Sequence, residues 1–298
     1  MTAQSKDTAI GFVGAGMMGH GICATLLAAG HPLTVIAHRN RAPIDDLVGR
    51  GAREARSLAA LAEASDVVMI CVNSAETVEA TVAGLRAGLR QGAIVVDVTT
   101  SKPEVSRALA ADLARDGFAF VDAPVVGGPA QAADGKLGTF VGAELATFAT
   151  IEPLLRRYCT DVVHFGPPGA GNVAKLLNNF LTVGLRQLVV QAFRAARRQG
   201  IDTDKLYQLT AKGAAGSRTL DQLASGLARG DYTQNKFSIA NCHKDMSYAA
   251  ALLADDPDGA AIQAVMQQAY ARLVAAGLGD RLASEMLDPA VEANALDG

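Results

Sequence analysis

A chain of 298 residues exceeds the usual span of one compact core, about 100 to 150 residues, so two domains are expected. Half of the residues are hydrophobic and 19% are charged, which supplies buried cores and excludes global disorder. A net charge of −3, with lysines scattered and no basic run, excludes the footprint of a nucleic-acid binder.

The N-terminal residues are polar before the first apolar run and lack the basic and long hydrophobic stretches of a secretion signal; no later stretch is apolar enough to span a bilayer. The expectation is a soluble, cytoplasmic protein with no membrane partner. From there to about residue 165, short Val- and Ile-rich runs at 9–14, 32–37, 66–72, 93–99, 118–125 and 138–143 alternate with Ala- and Leu-rich helical segments. Strands buried on both faces read as near-continuous apolar runs, so this pattern predicts βαβ units on a parallel sheet.

The first strand runs into Gly14-Ala15-Gly16-Met17-Met18-Gly19, a GxGxxG pattern. Alone such a hexapeptide is weak, but here it lies between a strand and a helix, where each glycine has a use. Gly14 makes the tight turn, Gly16 lets the backbone approach a pyrophosphate, and Gly19 lets helix and strand pack. The free N–H groups and positive dipole end of the helix then hold the phosphates. Of the two methionines, Met18 is expected to anchor the helix and Met17 to brush the cofactor.

No acid occurs between Thr8 and Ile44 to accept hydrogen bonds from an adenosine ribose. Instead the second strand leads into His38-Arg39-Asn40-Arg41, where two guanidiniums suit a 2′-phosphate. The expected cofactor is therefore NADP, with NAD left open. Val72 and Asn73 after one strand, and Thr99 after the next, are expected ribose and nicotinamide contacts at the carboxyl edge of the sheet.

The cluster from Gly166 to Gly171 breaks regular structure ahead of a long helical segment reaching about Arg198. Its apolar residues Val173, Leu176, Leu177, Phe180, Leu181, Leu188 and Val189 form faces wide enough to bury against two domains, so an interdomain helix is expected. Beyond it strand-like runs end, and segments such as 258–277 read as helices. The fold class expected is an α/β Rossmann domain, residues 1–167, followed by an all-α C-terminal domain, residues 168–298, joined by a long helix.

Four ordered motifs resemble the β-hydroxyacid dehydrogenase family, which includes 3-hydroxyisobutyrate dehydrogenase and the tartronate, glyoxylate and succinic semialdehyde reductases. They are residues 11–19, the segment Asp122-Ala123-Pro124-Val125-Val126-Gly127-Gly128, the segment 169–179, and Lys244-Asp245-Met246. The resemblance implies a hydride-transferring enzyme acting on a small β-hydroxyacid or its semialdehyde. It further implies substrate binding by Val126, Gly127 and Gly128, a cofactor-proximal Lys244, Asp245 as a brace, and a homodimer or homotetramer. Val126 stands where the family usually carries a serine, and Leu282 where it commonly has an aspartate. The missing serine hydroxyl shifts anchoring of the substrate to the Gly127 and Gly128 amides.

The chemistry of the third segment is readable in its own right. Lys175 and Asn179, at i and i+4, share one helix face and can reach one small substrate. A lysine there can give a proton to a carbonyl oxygen as hydride arrives, or accept one from the alcohol in reverse, while the asparagine orients that oxygen. For work near neutral pH burial or a neighbouring positive charge has to bring the lysine down from about 10.4. An imine reductase resembles the same architecture but typically lacks this lysine, and a non-catalytic dinucleotide-binding scaffold would lose it. The histidines and cysteines show no metal-ligand spacing, so no metal is expected.

Overall fold

The computed structural model describes residues 8–296, with side chains described up to residue 292. Two compact units divide at Lys175/Leu176. The first contains every strand among the described residues: β1 (Ile10–Val13), β2 (Leu33–Val35), β3 (Arg53–Glu54), β4 (Val67–Ile70), β5 (Ile94–Asp97), β6 (Ala119–Asp122), β7 (Val125–Val126), β8 (Leu137–Gly142) and β9 (Cys159–Gly166). Between them run α1 (Met17–Ala28), α2 (Ala42–Gly49), α3 (Leu58–Glu63), α4 (Ala75–Leu85), α5 (Pro103–Ala114), α6 (Pro129–Ala133) and α7 (Leu145–Leu155).

The sheet order is β3-β2-β1-β4-β5-β6-β8-β7, with β9 added beside β8. From β3 to β6 every pairing is parallel. The apolar runs alternate between two cores: Val67 and Met69 enter one cluster with Ile10, Phe12, Ile22 and Leu26, whereas Val68 and Ile70 enter another with Leu61, Val82 and Leu113. Burying each such aliphatic side chain stabilises the fold by about 1.5–3 kcal/mol, which is why these strands tolerate no polar alternation.

The expected Rossmann-type sheet is present, but its far edge departs from the parallel pattern. β8, read as another strand of the series, pairs antiparallel with β6 and β7. The link from β6 is taken up by β7 and the five-residue α6, which is too short to carry the chain back along the sheet as a parallel crossover demands. β9, absent from the apolar runs, pairs parallel with β8.

The helix α8 (Ala170–Arg198) is 29 residues long and continues from the first unit into the second. The second unit adds α9 (Thr203–Thr210), α10 (Arg218–Ala224), α11 (Ile239–Leu253), α12 (Pro257–Ala275) and α13 (Pro289–Leu296). Its core joins Leu176, Val183, Val190 and Phe193 of α8 to Cys242, Met246 and Ala249 of α11 and Tyr270 and Leu273 of α12. The α8 positions fall on one stripe of a 3.6-residue helix, so a single face makes this core. Among the described residues no helix is long and apolar enough to cross a membrane, and no group of three or more His, Cys, Asp or Glu could hold a metal.

Candidate active site

In the first unit the chain leaves β1 for β2 and β3 on one side and returns to β4 on the other. The carboxyl ends of β1 and β4 therefore flank the point where strand order reverses, the usual ligand crevice of such sheets. Gly14, at φ 96°, makes the turn there, and a Cβ on it would lie 2.0 Å from the Cys71 carbonyl oxygen. A Cβ on Gly19 would lie 2.2 Å from the Gly14 carbonyl oxygen, so helix and strand meet backbone to backbone.

Gly16 differs: a Cβ there would meet no protein atom within 4 Å. It is the N-cap of α1 and supplies no side-chain hydrogen bond to the first-turn amides. Orphan donors beside open space fit the pyrophosphate of a dinucleotide. Ala15 is buried, Met17 is 72% exposed, and Met18 is half-buried against the core, so the first of the two methionines faces outward and the second anchors α1.

The two arginines after β2 are not equivalent. Arg39 is exposed and makes no hydrogen bond or ion pair among the described residues. Arg41 donates Nη1 and Nη2 to the two carboxylate oxygens of Glu54 and Nη2 to Asp45, each at 3.0 Å. The register of β2 with β3 brings the partner within reach, since it sets Glu54 level with Val35, the last residue of β2. Asn40 accepts from the Ala42 N–H through Oδ1 and thereby turns the chain into α2.

Val72 and Thr99 serve each other: the Thr99 hydroxyl accepts from the Val72 N–H at 3.0 Å, and the buried Asp97 accepts from the Thr99 N–H at 2.9 Å. These two groups staple the ends of β4 and β5, and they spend one of the buried Thr99 hydroxyl's acceptor sites internally. Asn73 is exposed beside them.

In the substrate-type segment Val126 is 39% exposed on β7 and Gly127 takes φ 125°. The Gly128 N–H, expected to anchor a substrate, already donates to Gln131 Oε1 at 2.9 Å, because Gly128 opens α6 and Gln131 reaches back to cap it.

The start of α8 is fixed by two residues that the sequence reading did not single out as site residues. Asp122, fully buried at the end of β6, accepts from the Gly169 and Asn172 N–H groups at 2.6 and 2.7 Å. Burial pushes its carboxyl up to about 6, against backbone N–H donors that favour the charged form. Asn172 accepts from the Ser101 N–H at 2.9 Å and donates to the Ser106 hydroxyl at 3.0 Å. Their signal was the run of small residues: a Cβ on Gly171 would sit 2.4 Å from the Phe140 carbonyl oxygen.

Lys175 follows one turn after Asn172 and is 7% exposed. Asn179, one further turn along the same face of α8, is 5% exposed. Within the second unit Asn179 Nδ2 donates to Asp245 Oδ2 at 2.6 Å. Asp245 is 1% exposed, and its other oxygen lies 3.2 Å from Lys244 Nζ in an ion contact without hydrogen-bond alignment. Lys244 also sits 5.5 Å from the centre of the Tyr248 ring. The structure thus joins the buried Asn179 and Asp245 to the half-buried Lys244 in one group.

A glycine-turned α/β unit that ends on a buried lysine, followed by a helical unit that carries a buried amide and carboxylate, defines the class of NAD(P)-binding oxidoreductases. Residues 9–166 match the family model described as the NAD binding domain of 6-phosphogluconate dehydrogenase. Residues 169–290 match the one described as NAD-binding of NADP-dependent 3-hydroxyisobutyrate dehydrogenase. The chain is 32% identical over 281 residues to a probable 3-hydroxyisobutyrate dehydrogenase-like mitochondrial protein of Arabidopsis thaliana, covering 92% of this chain and 83% of the relative. A solved structure of Mycobacterium tuberculosis 3-hydroxyisobutyrate dehydrogenase with L-serine superposes with a TM-score of 0.84 at 25% identity, over 94% of this chain and 98% of that one. A structure of Psf3 in complex with NADP+ and 2-OPP superposes with a TM-score of 0.82 at 28% identity, over 94% and 99% of the two chains. The chain belongs to the β-hydroxyacid dehydrogenase family.

Proposed function

We propose that the protein interconverts a small β-hydroxyacid and its semialdehyde or oxoacid, with Lys175 as general acid and base, and that NADP is preferred over NAD. The observation that carries this reading is a buried lysine one helical turn from a buried asparagine whose amide is held by Asp245. When bound, the nicotinamide ring gives or takes the hydride. Lys175 Nζ delivers the proton to the carbonyl oxygen in reduction and removes it from the hydroxyl in oxidation. Asn179, its amide fixed by the Asp245 carboxylate, orients that oxygen, and Lys244 adds positive charge on the cofactor side.

The open turn at Gly16 receives the pyrophosphate, Asn73 and Thr99 approach the ribose and nicotinamide, and Arg39 meets the 2′-phosphate. Val126, which brings no hydroxyl, leaves the Gly127 backbone as the nearer anchor for a substrate carboxylate, since Gly128's amide is engaged. Assembly as a homodimer or homotetramer is supported by apolar residues left exposed on the second unit, among them Leu181 and Leu188 of α8 and Val265 of α12.

The test follows nicotinamide absorbance with NADPH and NADH against tartronate semialdehyde, succinic semialdehyde and glyoxylate. Turnover of at least one acid, faster with NADPH, supports the reading. Absence of turnover with every acid, in a protein that binds NADPH, contradicts it.

A further inference from the structure

The two carboxylates around Arg41 touch none of the groups assigned to substrate or hydride transfer. Glu54 and Asp45 take three hydrogen bonds from one guanidinium, whose side chain is 55% exposed, and the two negative charges outweigh its single positive one. The pair draws the Glu54 carboxyl below its ordinary range, chiefly through the Arg41 hydrogen bonds. Arg39 alone is left presenting uncompensated positive charge after β2.

Position gives this cluster its meaning. Sheets of this kind bring the adenosine ribose to the carboxyl end of β2, where an acid on β2 would ordinarily mark a 2′-hydroxyl. β2 has no such acid, but Glu54 ends the neighbouring strand level with Val35, so a carboxylate reaches the same edge from β3. A carboxylate there repels a 2′-phosphate dianion and removes Arg41 from its recognition.

We infer that Glu54 is a specificity-determining residue that holds Arg41 out of 2′-phosphate binding, leaving Arg39 to discriminate between the phosphorylated and unphosphorylated adenosine ribose. This rests on the proposed use of NADP. It also separates the two arginines that the sequence alone presents as equals. Glu54 tempers the preference and lets NAD compete.

Calorimetric titration of the whole protein with adenosine 2′,5′-bisphosphate and, separately, with 5′-AMP tests it without turnover. Glu54→Gln is expected to tighten the bisphosphate by about three- to fivefold, the upper end of what an exposed ion pair contributes, and to leave 5′-AMP within about twofold, which also verifies folding. Arg39→Ala is expected to erase the wild-type preference for the bisphosphate. Asp45→Asn, which removes the other partner of Arg41, is expected to tighten it in the same direction by less. Unchanged or weaker bisphosphate binding in both Glu54→Gln and Asp45→Asn overturns the inference while a wild-type preference for the bisphosphate still stands. A wild type without that preference contradicts the NADP reading instead, and tightening by Glu54→Gln would then still uphold the role of Glu54.

Discussion

Asp245 accepts a 2.6 Å hydrogen bond from the Asn179 amide, joining α11 to the face of α8 that begins with Lys175. Together with the 3.1 Å hydrogen bond that Asn179 Oδ1 accepts from Asn178 Nδ2, this contact restricts the orientation of the amide. A hydrogen bond to a charged group contributes about 1.5–3 kcal/mol, or roughly ten- to hundredfold. Asp245→Ala is therefore expected to lower kcat/KM by about that factor, and Asp245→Asn by less, since an amide oxygen still accepts. Because Asp245 acts through Asn179, the fall should appear in kcat with cofactor affinity unchanged, as read by steady-state kinetics beside calorimetry. A loss confined to cofactor binding would contradict this.

The glycine turn separates folding from binding. Gly16→Ala adds a methyl group that meets no protein atom within 4 Å, so melting temperature should change little. The methyl enters the space assigned to the pyrophosphate, and dinucleotide affinity should fall by about tenfold or more, through lost contacts to the helix N-terminus. Gly14→Ala has the opposite profile. At φ 96° and 2.0 Å from the Cys71 carbonyl it should destabilise the fold itself. Thermal melts and titrations on both variants check the contrast.

Asp122 makes a pH prediction. Its carboxyl is raised from an ordinary 3.8 to about 6, so between these values the folded chain binds more protons than the unfolded one. Stability from this group is fully present below about 3.8 and is lost as pH rises through about 6. The total is on the order of 3 kcal/mol for a shift of this size. The difference in unfolding free energy between wild type and Asp122→Asn should therefore shift against the wild type as pH rises from about 4 to 6.5, then level off. A difference that is flat or moves the other way would show that the Gly169 and Asn172 N–H groups outweigh burial.

Much of the fold was legible because its determinants are local. The runs that became β1 and β4 are apolar throughout and β5 is apolar up to Asp97 at its end, as doubly buried strands must be, and Gly14 and Gly19 stand where close backbone approach leaves no room for a Cβ. β3 was invisible because its two residues, Arg53 and Glu54, are charged and exposed, and the strand exists only through pairing with β2. β9 was missed for a related reason: its burial alternates toward the exposed side, with Val163 49% and Phe165 47% exposed. The site divides along the same line. Lys175 and Asn179 announce themselves by helical spacing, whereas the contacts of Asp122 with Asn172 and of Arg41 with Glu54 depend on pairings distant in sequence that no local pattern encodes.

The most direct test of the central claim is turnover by Lys175→Ala on the best acid substrate, measured together with NADPH affinity. Loss of the general acid should lower kcat by about 10²- to 10⁴-fold, with NADPH bound as in the wild type. Retention of turnover within about tenfold would contradict Lys175 as the acid and base, because a positioned proton donor typically contributes about 10²- to 10⁴-fold.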